Sequence, residues 1–475
     1  MYPEIDKLQD KCAVMAVCNH KDAANLTYLG LYSLQHRGQE SSGIVSSDSK
    51  NHYAEIGMGL VSEVFNSTNL DKLKGEMAIG HNRYSTHGTS ELRNSLPLFI
   101  EYAHGPLALS HNGNLVNAVS LRKELEKDGS IFRSTVDSEV VLHLIAKSQK
   151  ETLADKVVDA LSQTKGAYSL VIMSASELIV ARDPNGFRPL VIGKVDDAFI
   201  FASETCAFDL IGAKFIREVQ PGELIVVNES GLHSLFPFQP AGKKECIFEL
   251  IYFARPDSFI FDRNVYSVRK ALGAQLAKES YVDADLVAPV PDSGVVAALG
   301  YAQASNIPYE KAIIRNHYVG RTFIEPSSSI RNFGIKIKLN PIKSLIKNKK
   351  VVLVDDSIVR GTTSRKLIKM VREAGAKEIH FRISSPPTTH PCYYGIDTPN
   401  RTELIAATYS EDEIAKYLEV DSLAYLSFDK MFEAVQGTST DFCHACFSGD
   451  YPVAINKTDS QLELVEASKS VKSPT

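Results

Sequence analysis

A cysteine near the start of the chain stands where it could act as a nucleophile. Cys12 follows eleven largely polar residues and opens the apolar run CAVMAV, which predicts a short buried strand over 12–17. Polar, glycine-containing segments follow short predicted strands, and such loops carry ligands more often than cores do. They are LYSLQHRGQESSGI (31–44), GHNRYSTHGTS (80–90) and LSHNGNLVN (109–117). An internal cysteine is usually an inert core residue, so Cys12 alone does not establish the chemistry.

The segment VVLVDDSIVRGTTSRKL (351–367) has the order of parts that a phosphate site requires. Four apolar residues predict a buried strand, Asp355 and Asp356 end it, and small residues lead into a predicted amphipathic helix. Free N–H groups at a helix start bind anions, and small side chains let a phosphate approach. The paired carboxylates suit ribose hydroxyls or hydrated Mg²⁺. A surface turn with an Asp N-cap is the alternative interpretation.

Four other cysteines could form one metal site. Two of them make a Cys-x-x-Cys pair and two stand elsewhere in the second half; the four are Cys246, Cys392, Cys443 and Cys446. Four thiolates can hold a [4Fe–4S] cluster, and zinc is the alternative, with His390 or His444 as substitute ligands. Cys18 and Cys206 are expected to be small buried hydrophobic residues.

The composition is that of a globular enzyme of several domains. The chain has 475 residues, of which 44% are hydrophobic and 23% charged, so a mostly disordered chain is excluded. A net charge of −5 gives no basic surface for nucleic acid. No apolar run reaches the ~18 residues of a membrane helix, and the first residues lack a signal-peptide core. We therefore expect a cytoplasmic protein with reduced thiols that binds neither nucleic acid nor membrane.

Two patterns of secondary structure position these residues. Helices are predicted over 115–127 and 138–147, and short strands with turns over 167–227 indicate a mixed α/β domain with many hairpins. A linker over 236–246 begins with residues rich in Pro, Gly and Lys. Beyond it, alternating helices and strands indicate parallel βαβ units that bind ligands at the carboxyl ends of strands. The predicted elements are helix 264–280, strand 284–290, helix 295–304, strand 311–315, strand 351–356, helix 364–376 and strand 378–384.

Together, Cys12 and the three polar segments resemble the N-terminal-nucleophile glutamine amidotransferases. The resemblance implies that residues 1–11 are a propeptide, whose removal frees the Cys12 α-amino group as the base for its own thiol. The sequence departs from the common family pattern at residues 13–16, where Ala-Val-Met-Ala replaces Gly-Val-Phe-Gly, and at His87 and NSLP (94–97). These departures concern the detail of the glutamine pocket.

The same resemblance implies roles for four further residues. The Asn112 side chain and the Gly113 N–H would form the oxyanion hole that stabilises charge on the carboxamide oxygen. Arg83 would pair with the substrate carboxylate, and Asp137 would bind its α-ammonium group. The products would be ammonia and glutamate.

The motif VVLVDDSIVRGTTS resembles the phosphoribosyl pyrophosphate (PRPP) motif of type I phosphoribosyltransferases. APVPDSGVVAALGYA (288–302) is similar to their pyrophosphate loop, and residues 318–341 are similar to their mobile flap. The implied magnesium and PRPP contacts are Ser293, Asp355 and Asp356, with Gly361, Thr362 and Thr363 for the 5′-phosphate and Arg321 and Lys338 for the pyrophosphate. Arg321 and Lys338 could also be ordinary solvated charges.

Both halves in this order, with the four cysteines, resemble the propeptide-bearing, [4Fe–4S] branch of the bacterial-type amidophosphoribosyltransferases. The implied fold is a four-layer αββα N-terminal-nucleophile glutaminase domain (12–235), the linker, a type I phosphoribosyltransferase domain with a parallel sheet and a cluster segment (247–455), and a tail (456–475). The implied reaction converts glutamine, PRPP and water to 5-phosphoribosylamine, glutamate and pyrophosphate, the first step of de novo purine synthesis. A homotetramer inhibited by purine nucleotides is also implied.

Two other functions would fit parts of the chain. A non-catalytic, PRPP-sensing regulator should have lost the nucleophile or gained a basic DNA-binding module, and neither change is evident here. An unrelated amidotransferase that passes ammonia to a sugar phosphate or to aspartate should lack the VVLVDDSIVRGTTS motif.

Overall fold

The first half of the chain folds into two antiparallel sheets. The computed structural model describes residues 12–84, 91–239, 241–316 and 338–455. The strands are β1 (Cys12–Cys18), β2 (Ser41–Ser47), β3 (His52–Met58), β4 (Met77–Arg83), β5 (Leu98–Tyr102), β6 (Gly105–Leu115), β7 (Gly166–Met173), β8 (Leu178–Arg182), β9 (Val191–Val195), β10 (Ala198–Ala202), β11 (Lys214–Glu218), β12 (Leu224–Asn228) and β13 (Gly231–Leu235). One sheet has the order β11-β9-β10-β1-β4-β2-β3, and the other has the order β13-β12-β8-β7-β6-β5.

Helices cover the outer faces of both sheets, so this domain has four layers. They are Ala23–Ser33, Val61–Val64, Ser67–Leu70, Ala118–Lys127, Glu139–Lys147, Leu153–Gln163 and Cys206–Ile211. Successive side chains of a strand point to opposite faces. In β1, Val14 and Ala16 accordingly pack between the two sheets, whereas Ala13 and Met15 pack under the helices. Because β1 is buried on both faces, its sequence is a continuous apolar run. The two sheets with helices on their outer faces confirm the expected αββα arrangement.

The second half is built on a parallel sheet. Its strands are β14 (Glu245–Cys246), β15 (Phe259–Ile260), β16 (Arg263–Asn264), β17 (Leu286–Pro289), β18 (Ile313–Arg315), β19 (Leu339–Pro341), β20 (Lys350–Asp355), β21 (Glu378–Ile383), β22 (Ser422–Tyr425) and β23 (Phe442–Cys443). The parallel sheet has the order β17-β20-β21-β22. The helices are Val265–Glu279, Val295–Ser305, Lys343–Ile346, Thr362–Glu373, Ile405–Thr408, Glu411–Leu418, Phe428–Val435 and Ala445–Ser448. Apolar clusters bury both faces of the sheet, as parallel βαβ units require.

The structure corrects two of the predicted elements. The strand expected over 311–315 is β18, which does not join the parallel sheet but pairs antiparallel with β19. The physical reason is its exposure, since Ile314 is 44% exposed and a strand of the parallel sheet would be buried on both faces. The helix expected from 115 begins at Ala118, because Leu115 is the last residue of β6 and pairs with Gly166.

One buried arginine joins the two domains. Arg37 is fully buried, and its guanidinium binds Glu204 of the first domain and Glu249 of the second, with a distance of 2.7 Å from Nη2 to Glu249 Oε1. Its Nε donates to the main-chain oxygen of Cys12 at 3.1 Å. Arg188 adds a second cation, 3.0 Å from Glu249 Oε1. The position of Cys12 therefore depends on charges that both domains contribute.

We predict that Arg37→Met will lower the free energy of unfolding by about 3–5 kcal/mol, because it removes the one cation that the buried carboxylates of Glu204 and Glu249 share. Urea unfolding followed by circular dichroism measures the change. The control is Lys194→Met, which removes an ion pair with Asp197, whose side chain is 95% exposed. This control should change the free energy by no more than about 1 kcal/mol. Equal effects of the two substitutions would contradict the account of the junction.

Candidate functional site

A pocket forms where β1 and β4 meet the end of β6. Cys12 and Arg83 are direct partners across β1 and β4. The pocket is lined by Cys12, Arg83, Tyr84, Leu96, His111, Gly113, Val136 and Asp137. The structure thus brings together four residues that the sequence singled out: Cys12, Arg83, Gly113 and Asp137. Tyr84 and His111 also line the pocket and were not predicted from the sequence. Each is adjacent to a predicted residue, Arg83 or Asn112, and this adjacency could have indicated them.

The pocket wall carries one buried cation and one buried carboxylate. Arg83 is 3% exposed; burial lowers its pKa, whereas the charges of Cys12, Glu40 and Asp137 raise it. Asp137 accepts a hydrogen bond from the Leu115 N–H at 2.8 Å. A guanidinium and a carboxylate on one wall complement the carboxylate and ammonium groups of an α-amino acid.

Asn112 stands in β6 between two residues that line the pocket, His111 and Gly113, but is not itself a lining residue. The Asn112 side chain is fully buried, and neither of its amide atoms has a hydrogen-bond partner among the described residues. Gly113 has φ +149°, and a Cβ atom there would lie 2.1 Å from the Ala167 oxygen, so only glycine fits. A buried amide without a partner calls for an explanation, and an oxygen of a bound ligand would supply one.

The segment that carries Asp137 is held by a buried glutamate. Glu139 accepts hydrogen bonds from the N–H groups of Arg133 and Ser134, at 2.7 and 2.8 Å. Burial raises the pKa of Glu139. Hydrogen bonds from His143, Ser134 and Arg133 outweigh this effect and lower the pKa to about 2. Glu139 is therefore ionised at neutral pH and fixes the chain two residues from Asp137.

The structure does not describe the predicted propeptide, residues 1–11, or the segment around His87; both lie outside the described residues. The departures at Ala13 and Ala16 do not line the pocket; both side chains are packed in apolar clusters.

A second site lies at the carboxyl end of β20. Asp355 and Asp356 are 3% and 1% exposed. The Ser293 hydroxyl, from the loop after β17, lies 3.5 Å from Asp355 Oδ1, and the Ser357 hydroxyl donates to Asp356 Oδ2 at 2.6 Å. The parallel sheet aligns the ends of β17 and β20, so the loop that carries Ser293 lies next to Asp355. Buried carboxylate and hydroxyl oxygens form a hard donor set of the kind Mg²⁺ prefers.

The loop after these carboxylates ends in a helix start. Gly361 has φ +78°, and a Cβ atom there would lie 2.9 Å from Ile405 Cδ1. The helix begins at Thr362 and continues for twelve residues, so Thr362 and Thr363 present N–H groups of its first turn. These groups can bind a phosphate beside the carboxylates.

Lys338 lies near the loop that precedes Ser293. Its main-chain oxygen accepts from the Asn316 N–H at 2.8 Å, and Arg315 forms an ion pair with Asp292. Burial lowers the pKa of Lys338, and the charge of Arg315 lowers it further. Arg321 lies outside the described residues.

The four cysteines of the expected cluster converge at the domain junction. Cys246 and Cys443 are direct partners in the parallel pair of β14 and β23. Burial raises the pKa of Cys446, and the charges of Cys246, Cys443 and Cys392 raise it further, so all four thiols lie within electrostatic reach. No three of the four Sγ atoms, all in the described part of the chain, lie within 4.8 Å of one another. A tetrahedral zinc with bonds of ~2.3 Å would hold them about 3.8 Å apart.

The two remaining thiols outside these sites, Cys18 and Cys206, are buried in the first domain, as expected. Burial raises the pKa of Cys18 to about 11. Cys206 lies within 4.8 Å of ligand atoms of His36 and Glu204. Because Glu204 already binds Arg37, this group is an ion-pair network. No helix in the described ranges is long and apolar enough to cross a membrane.

Comparisons with known proteins agree with the two sites. Residues 81–209 match the glutamine amidotransferase domain family, and residues 267–385 match the phosphoribosyl transferase domain family. The amidophosphoribosyltransferase of Bacillus subtilis (strain 168) is 50% identical over 460 residues, which are 96% of this chain and 97% of the relative. The chloroplastic amidophosphoribosyltransferase 1 of Arabidopsis thaliana is 52% identical over 453 residues, 94% of this chain and 80% of the relative.

Two solved structures share the whole architecture. One is described as the allosteric regulatory enzyme of purine biosynthesis; it has a TM-score of 0.91 and 49% identity and covers 94% of this chain and 97% of its own. The other is the glutamine PRPP amidotransferase of B. subtilis complexed with ADP and GMP. Its TM-score is 0.90 with 49% identity, and the match covers 94% of this chain and 98% of its own.

We predict a pH-dependent effect of Glu139→Gln. The folded-state pKa is lowered, so the carboxylate stabilises the fold fully above its unfolded value near 4.5, and this contribution is lost as the pH falls toward about 2. The variant should melt below the wild type at pH 7, and the gap should narrow mainly as the pH falls from 4.5 toward about 2. Thermal unfolding at several pH values measures it, with the exposed Glu126→Gln as control. A gap that is independent of pH would contradict the assignment.

Proposed function

Since the chain belongs to the amidophosphoribosyltransferase family, the glutamine PRPP amidotransferases of purine biosynthesis (EC 2.4.2.14), we propose that Cys12 is its glutaminase nucleophile and that Asp355 and Asp356 mark its PRPP site. The observation that carries the first assignment is the single pocket that gathers Cys12, Arg83, Gly113 and Asp137. Membership of an enzyme family and an intact pocket argue against the alternative of a non-catalytic regulator.

The proposed glutaminase step uses only groups of this chain. Removal of residues 1–11 frees the Cys12 α-amino group, which accepts the proton of the thiol. The sulfur attacks the carboxamide carbon of glutamine, and the Gly113 N–H and the Asn112 amide stabilise the charge that develops on oxygen. Arg83 and Asp137 hold the α-carboxylate and α-ammonium groups. The amine returns the proton to the leaving ammonia, and water then hydrolyses the thioester to glutamate.

The second step belongs to the loops at the carboxyl end of the parallel sheet. Ser293, Asp355 and Asp356 fit Mg²⁺, since they present hard oxygen atoms on two adjoining loops. When bound, the ion neutralises charge on the leaving pyrophosphate. Gly361, Thr362 and Thr363 would bind the 5′-phosphate, with Arg321 and Lys338 toward the pyrophosphate. Ammonia attacks C1′ of PRPP and displaces pyrophosphate with inversion.

We also propose a [4Fe–4S] cluster on Cys246, Cys392, Cys443 and Cys446. The convergence of the four thiols supports a shared metal site, and the family resemblance favours the cluster over zinc. Its role is structural, because neither half-reaction transfers electrons. It would tie β14, at the end of the linker, to β23 (Phe442–Cys443).

Three properties complete the proposal. None of the seven cysteines, all in the described part of the chain, forms a disulfide, which suits a protein of the reducing cytoplasm. Inhibition by purine nucleotides is supported by the relative complexed with ADP and GMP. The homotetramer is proposed from the family resemblance alone.

We predict that Cys12→Ala will lower glutamine-dependent synthesis by about 10⁴-fold or more and leave ammonia-dependent synthesis intact, because the nucleophile is removed from only one of two separate sites. Pyrophosphate release with each nitrogen donor measures both. Cys18→Ala, in the same strand, is the control and should retain both activities. Loss of both activities in Cys12→Ala would contradict the two-site assignment.

We predict that Asp355→Asn combined with Asp356→Asn will lower kcat/KM for PRPP by at least about 100-fold with either nitrogen donor. The substitution removes two carboxylates from a site whose ion requires hard oxygen ligands. Glutamine binding at Cys12 should persist. The control is Asp283→Asn in the same domain. The Asp283 side chain is 89% exposed, so this variant should leave the PRPP kinetics unchanged. Unchanged PRPP kinetics in the double variant would refute the assignment.

We predict that anaerobically purified protein will contain about four irons per chain, as one [4Fe–4S] cluster holds. Cys443→Ser should lose the iron and become protease-sensitive, because metal binding contributes to folding stability. Cys206→Ser, equally buried, should keep the iron. Stoichiometric zinc without iron, or full stability with neither metal, would contradict the assignment of a [4Fe–4S] cluster.

A further inference from the structure

A turn from the second domain packs directly against the main chain of Gly113. Gly395 is buried with φ +109°, and a Cβ atom there would lie 3.0 Å from both Cα and C of Gly113. Carbon atoms at ordinary contact are ~3.5–4.0 Å apart. The absent side chain therefore lets this turn touch the strand that carries Gly113, and a larger residue would displace one of the two segments.

Other contacts fix the turn 393–395 in place. The Asn114 side chain donates from Nδ2 to the Tyr393 oxygen at 3.0 Å, which joins the turn to the residue after Gly113. The ring of Tyr394 stacks on Phe187 of the first domain, with centroids 4.5 Å apart and planes inclined by 18°. Its hydroxyl donates to the Val453 oxygen at 2.6 Å. The turn is thus held by both domains.

Gly113 is also confined within its own sheet. A Cβ atom on Gly113 would lie 2.1 Å from the Ala167 oxygen of β7. Its backbone is therefore in close contact with β7 and with the turn 393–395. A donor that is confined in this way costs little reorganisation when charge develops beside it.

We propose that the turn 393–395 is a positioning element for the Gly113 N–H, so that the second domain supplies part of the rigidity of the oxyanion hole. The inference rests on the proposed role of Gly113 in glutamine hydrolysis. A donor aimed at the developing oxyanion acts in the transition state, so its displacement lowers kcat and not the binding of glutamine by Arg83 and Asp137.

Steady-state kinetics of Gly395→Ala in the full-length enzyme tests this. The kcat for glutamine hydrolysis should fall about 10- to 100-fold, with the KM for glutamine within about twofold and ammonia-dependent synthesis retained. The control is Gly375→Ala; Gly375 has a similar φ of +96°, and the atoms nearest to its added Cβ would be those of Lys347, at 3.3 Å and beyond. It carries the same backbone strain without touching Gly113, and its kcat should be unchanged.

A milder variant keeps the test decisive if Gly395→Ala does not fold. Asn114→Ala removes only the hydrogen bond to Tyr393 and should lower kcat in the same selective manner. A folded variant with normal kcat, or one in which glutamine- and ammonia-dependent rates fall together, would overturn the inference. Failure of the proposed function has another signature: Cys12→Ala would retain glutamine hydrolysis.

Discussion

The contact between the Arg37 guanidinium and the main-chain oxygen of Cys12 fixes the start of β1 to the junction of the two domains. This contact requires a buried charge on Arg37, which is stable in the interior only while Glu204 and Glu249 neutralise it. Glu249 follows Cys246 by three residues, and Cys246 pairs with Cys443. Cys12, the proposed nucleophile, is consequently part of one buried network with the linker and the cysteine site.

The two sites use opposite electrostatics for their substrates. The first places a buried cation, Arg83, and a carboxylate, Asp137, on the wall of one pocket, where they complement the opposite charges of an α-amino acid. The second places two buried carboxylates, Asp355 and Asp356, beside a helix start, where they require a cation before a polyphosphate can approach. Such environments are incompatible within one pocket, which gives a physical reason for separate domains with a rigid junction between them.

Sequence predicted the elements whose burial leaves a strong pattern. The strands β1 and β20 were found because both faces are apolar, and their ends carried Cys12 and Asp355. Edge strands were harder to predict. The strand β18 was assigned to the wrong sheet, and β13, which lies beyond the predicted run of strands over 167–227, was missed, because exposed strands have no apolar repeat. The partnership of Arg37 with Glu249 and the contact of Gly395 with Gly113 were not foreseen, since each joins residues more than two hundred positions apart and has no local signature.

The central claim, that a processed Cys12 is the nucleophile within this network, is tested most directly by one mass measurement. Active enzyme is incubated with an electrophilic glutamine analogue, and the intact chain and its peptides are weighed. The account predicts a chain that begins at Cys12 and carries one analogue, bonded to the Cys12 sulfur. Active enzyme that retains residues 1–11, or an adduct on any other residue, would contradict it.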